Sequence, residues 1–170
     1  AGMSGTANEL RGREAVMQEW SDYFDPDGPT LAWTPTHAEV VGAGRRAVHE
    51  ILHRLYTDFN VRGGNDYLNA LHNAVEDAWI EHRGIARAVT GNVGNLLTGL
   101  VDQMVTKALA EVSDWADPRQ YPFVLAIYLR KHATRKIPLA QGLAPIFDEA
   151  AVRLDSASSS ADTMAIARWV

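Results

Sequence analysis

Cysteine is absent from all 170 residues. That excludes a disulfide framework, a cysteine-ligated zinc knuckle and a cysteine nucleophile. No apolar run approaches the roughly 18 residues a membrane span needs, so no membrane partner is expected. A basic patch is missing too. The 16 Lys and Arg are scattered among 21 Asp and Glu, for a net charge of −5. A dedicated nucleic-acid surface would concentrate positive charge, so no nucleic-acid partner is expected. Gly42-Ala43-Gly44 and Arg62-Gly63-Gly64 lack the lysine and the glycine spacing of a phosphate loop. The first residues carry no basic-then-apolar leader pattern. A cytoplasmic place is the expectation, and the lack of cysteine is compatible with it.

The remaining composition, 46% apolar, suits one domain with a full core. Leu10, Val16, Trp20 and Phe24 recur at roughly helical spacing over residues 7–23. Asp25-Pro26-Asp27-Gly28-Pro29 is a strong turn. Residues 30–34 and 38–41 alternate like strands on either side of Pro35, which predicts a short β-hairpin or two edge strands. Everything after is helical in pattern. The segments run from Arg45 to about Asp58, from an Asn65 or Asp66 cap to Arg83 with Gly84 as a stop, from Asn92 to Val112, from Tyr121 to His132, from Leu139 to Leu154, and from Asp162 onward. The fold class expected is mainly α with a small β element (α+β). Residues 1–155 form the expected domain. Residues 156–170 read as a polar linker and the start of a further helix, which either docks on the core or leads into a further C-terminal domain.

The chemistry concentrates at His49-Glu50-Ile51-Leu52-His53. On a helix, positions i and i+4 share a face, so His49 and His53 can offer two imidazoles to one ion. Glu50 is then placed to polarise a water on that ion as general base. A catalytic zinc site usually takes three protein ligands and leaves one position open. The next helix carries Glu76-Asp77 and, one turn on, Glu81. A helix hairpin brings this acidic face back to the histidines. Glu76 is the expected third ligand, with Asp77 or His72 as alternatives. Asp58 and Asp77 are the expected carboxylates behind the histidines, since metal-bound imidazoles usually give their second N–H to such a group.

His49-Glu50-x-x-His53, Tyr56-Thr57-Asp58-Phe59 and Asn73-Ala74-Val75-Glu76-Asp77-x-x-Ile80-Glu81 together resemble a known pattern. It is the metallopeptidase-like domain that precedes a von Willebrand A domain in cobaltochelatase-subunit-T-like proteins of bacteria and phages. The resemblance covers roughly residues 30–85. It implies a zincin-like fold with an edge strand before the active-site helix, a glutamate as third zinc ligand, and a peptide or protein substrate. It also implies a von Willebrand A domain or an AAA+ ATPase as partner. Trp79 departs from the pattern, where a basic residue is expected.

Other residues have weaker claims. Tyr56, Tyr67, Tyr121 and Tyr128 each carry a hydroxyl suited to stabilising an oxyanion, although core packing explains such residues equally well. Arg130-Lys131-His132 reads as a solvated helix end, and the five tryptophans read as core. A non-catalytic metal-binding or interaction domain of a chelatase-like, ATPase-coupled assembly is the rival to a zinc peptidase.

Overall fold

The computed structural model describes residues 37–88 and 92–170. The helix expected over 7–23, the turn at 25–29 and the strand over 30–34 lie outside the described residues. Among those described the fold is all-α, with six helices and no strand. We name them α1 (His37–Tyr56), α2 (Asp66–Arg87), α3 (Asn92–Glu111), α4 (Tyr121–Leu129), α5 (Leu143–Ser156) and α6 (Ser160–Trp169). A 3-10 turn, Pro118–Gln120, leads into α4.

Two expectations are corrected. Residues 38–41, read as an edge strand, are part of α1, which starts at His37 rather than Arg45. Four alternating residues are too few to separate the two periods. The same window sets Val41, Arg45, Val48 and Leu52 three or four apart, a helical stripe that runs on into the histidine motif. Gly42 and Gly44 each cost helix propensity of about 1 kcal/mol, but packing of α1 on α2 and α3 outweighs that. The second correction is Gly84, which does not stop α2. The helix continues to Arg87, and Gly84 is a buried point of close approach where Leu52 of α1 rests on the backbone.

Other ends shift by a few residues: α4 stops at Leu129 rather than His132, α5 begins at Leu143 rather than Leu139, and α6 begins at Ser160 rather than Asp162. The Asn65 side chain accepts from Leu68 N–H and caps α2. Ser159 and Asp162 form a reciprocal capping box at α6. Gly142, at φ 89°, turns the chain into α5, and Pro145 sits in its first turn, where a missing N–H costs nothing.

The central helix is α2. It packs most extensively along α4 and α6, and α1 lies against both α2 and α3. Its Leu71, Val75, Ala78 and Ile80 join Leu97, Leu125, Leu129, Phe147, Leu154 and Ile166 in the main core. Burial of each large side chain contributes roughly 1.5–3 kcal/mol, so α2 is held from several sides. Its polar residues toward α1 are therefore fixed in place. Trp79 is buried in that core, donates its indole N–H to Ala157 O at 3.0 Å, and meets Tyr56 edge to face. Residues 160–169 are integral to this packing, with Met164, Ile166 and Ala167 buried. Trp169 is not core; it is partly exposed, with the Arg153 guanidinium 4.2 Å from its ring. Among the described residues no helix is long and apolar enough to cross a membrane.

Candidate metal centre

One turn of α1 separates His49 from His53, and their Nε2 atoms lie 3.1 Å apart. From α2, Asp77 brings Oδ1 to 3.2 Å from His53 Nε2 and 3.8 Å from His49 Nε2. The three donor atoms form a compact triangle. A point equidistant from all three is about 2.0 Å from each, which is the length of a zinc–imidazole or zinc–carboxylate bond.

Neighbouring groups decide where the lone pairs point. His49 Nδ1 lies 2.9 Å from Glu81 Oε1. Glu81 is fully buried, and burial alone would raise its carboxyl pKa. Contacts with His132, His49 and Arg130 outweigh burial and hold it well below the usual carboxylate range. An ionised carboxylate only accepts, so the network assigns the proton to His49 Nδ1 and leaves Nε2 bare. His53 Nδ1 meets the Thr57 hydroxyl at 2.9 Å, which can accept from it and so leave Nε2 bare as well. Two nitrogens and a carboxylate oxygen then face one point, a donor set that a cation satisfies. A proton meets the same need in part. The His53 pKa is raised, foremost by its hydrogen bond to Asp77, with burial opposing. The residues present therefore fit a divalent ion.

Behind this triad lies Arg130, only 2% exposed. Its Nη2 donates to Asp77 Oδ2 at 3.1 Å and to Glu81 Oε1 at 3.1 Å, and its Nε donates to Glu81 Oε2 at 2.7 Å. Burial works against the guanidinium charge, but Glu81 and Asp77 more than compensate. His132 Nε2 is 3.2 Å from Glu81 Oε2, within ion-pair range but not aligned for a hydrogen bond. Arg130-Lys131-His132 is thus not a solvated helix end. Two of its three side chains serve the buried acidic face of α2.

The other residues singled out in the sequence fall as follows. Glu50 is exposed beside His49, and its charge bears on His53. Glu76 is buried outside the triad, with Oε1 3.9 Å from His72 Nε2 and no hydrogen-bond partner. Successive helix positions are about 100° apart, so Glu76 and Asp77 cannot both point squarely at α1, and Asp77 is the one that does. His72 ties α2 to α6 through Thr163 Oγ1 at 3.0 Å and Ser160 O at 3.3 Å. Asp58 accepts from the backbone and side-chain N–H groups of Asn60, ordering the turn after α1. The groups behind the histidines are Glu81 and Thr57. Glu81 was legible in principle, because it lies four residues after Asp77 and shares its face. Arg130 had no such signal. It supplies a guanidinium to α2, whereas position 79, where a basic residue was expected, holds Trp79.

The hydroxyls of Tyr67, Tyr121 and Tyr128 are bound to Pro118 O, Ala116 O and the Asp148 carboxylate, away from the triad. A cavity of about 500 Å³ is lined by residues including Tyr67, Leu71, Tyr121, Ile146, Phe147 and Arg168, and none of the triad. Compared with models of known families, with curated proteins and with solved structures, the chain gives no match.

Proposed function

We propose that the protein is a zinc-dependent metallopeptidase, with the ion held by His49, His53 and Asp77. The convergence of His49 Nε2, His53 Nε2 and Asp77 Oδ1 carries this reading. Two neutral imidazoles and one carboxylate suit zinc and leave a position for water. A zinc ion there supplies a Lewis acid and lowers the pKa of its water to about 7. Glu50, exposed next to His49, is the general base that takes a proton from the attacking water and passes it to the leaving amine. Glu81 holds His49 in the tautomer that presents Nε2, and the Thr57 hydroxyl is able to accept from His53 Nδ1 to the same effect. Support also comes from the resemblance to the cobaltochelatase-subunit-T-like domain, which has a His-Glu-x-x-His helix followed by an acidic helix. A peptide or protein substrate, and a von Willebrand A or AAA+ partner, come with that resemblance.

The test uses protein purified without chelator or histidine tag. Wild type is expected to hold one equivalent of zinc and to cut members of a mixed peptide library read by mass spectrometry. Glu50→Gln is expected to keep the zinc and lose the cleavage. A second reading, a structural or interaction-domain metal clamp, is favoured by one observation. The ligands join two helices, and their side chains are only 16–23% exposed. On that reading Glu50→Gln is silent, while His49→Ala lowers stability and loses the ion.

A further inference from the structure

We infer that Arg130 is a positioning residue that restricts Asp77 to a single ligand oxygen and so holds the site to four donors, one of them a water. This rests on the ion-binding part of the function proposed above and not on hydrolysis. Asp77 has two oxygens with different surroundings. Oδ1 faces His53 and His49, and Oδ2 accepts from Arg130 Nη2 at 3.1 Å. A carboxylate without such a restraint is free to turn and chelate an ion through both oxygens, adding a fifth donor beside the water. The restraint is firm because Arg130 is itself immobilised. Its Nη1 donates to Ala126 O at 3.2 Å, one turn back in α4, and its Nε and Nη2 grip the buried Glu81.

The same Nη2 touches Glu81 Oε1, the oxygen that accepts from His49. One planar fork therefore fixes a direct ligand and the group that orients another. A lysine cannot copy this, because its ammonium is a point charge without a fork. Arg130→Lys conserves charge, so it isolates geometry from electrostatics.

Cobalt(II) replaces zinc as the probe, since its visible bands are intense in a four-coordinate site and weak in a five-coordinate one. Wild type, Arg130→Lys and Arg130→Gln, each spanning residues 1–170, are titrated with cobalt, and circular dichroism checks that each variant is folded. Wild type is expected to bind one equivalent with intense bands. The variants are expected to bind one equivalent with bands several-fold weaker. If wild type and variants give the same intense bands, the inference is overturned and the metal reading stands. Weak bands in wild type overturn it without reference to any variant. If wild type takes up no cobalt, the ligand assignment and this inference fall together.

Discussion

Leu52 fills the notch that Gly84 leaves in α2. A Cβ at Gly84 would lie 2.5 Å from Leu52 Cδ2 and 2.7 Å from Cδ1. Leu52 is 6% exposed and has little room to retreat. It sits one residue before His53, so this contact sets how closely the histidine face of α1 approaches Asp77.

Gly84→Ala is therefore expected to destabilise the fold. Overpacking costs about 1–3 kcal/mol, against a gain in helix propensity of about 1 kcal/mol, so the net loss is up to about 2 kcal/mol. Metal affinity should fall with it. Urea denaturation and a zinc titration measure both. Adding Leu52→Ala should cost less in the Gly84→Ala background than in wild type, because the two changes share one contact.

Asp77 and Glu76 are adjacent, and the geometry assigns them different work. Asp77→Asn is expected to weaken zinc binding on the order of 10–100-fold or more, whereas Glu76→Gln should leave it nearly unchanged. Competition against a fluorescent chelator reads the difference. The reverse order would make Glu76 the ligand.

Glu81 and Arg130 form a buried ion pair, at 0% and 2% side-chain exposure. Breaking a buried pair costs about 3–5 kcal/mol, and removing Glu81 leaves Arg130 with the partly exposed Asp77 as its remaining carboxylate. Glu81→Leu should show a loss of that size in chemical denaturation. The double variant Glu81→Leu with Arg130→Met should be more stable than either single variant, since neither charge is then left unpaired.

The His82 imidazole is pushed below its ordinary value of 6.5, first by burial and then by the charges of Lys131 and His132. Its Nε2 accepts from Lys131 N–H at 3.4 Å, which only the neutral ring can do. As pH falls, the unfolded chain takes up this proton before the folded one does. The stability contributed by the neutral ring is thus fully present above pH 6.5 and is lost as pH falls through the lowered folded value. His82→Gln should flatten that part of the profile, measured as urea midpoints between about pH 8 and 5 against wild type.

Local signals made the cap of α2 legible and act at other helix limits too. Asn65 before α2, Ser159 with Asp162 before α6, and Pro118 before α4 each act within a few residues. The His49–His53 pair was legible for the same reason, since its spacing is a property of one helix. Elsewhere a local pattern had to yield to packing. Residues 38–41 alternate but are helical, and Gly84 carries a stop signal but serves Leu52. Choosing Asp77 over Glu76 depends on how α2 is rotated about its axis, which its core contacts with α4 and α6 fix. Arg130 lies 53 residues from Asp77 and 49 from Glu81, and no periodicity connects them.

The Asp58 N–H donates to Ser160 Oγ at 2.8 Å, across 102 residues. His72 likewise finds Thr163 only once α6 is in place. Synthesis runs from the N-terminus, so α1 and α2 leave the ribosome well before these partners exist. Until Ser160 has emerged, the turn that follows His53 has one end untied and His72 lacks its partner. The two histidines are among the earlier parts of the described chain to be made, and their surroundings are completed among the last.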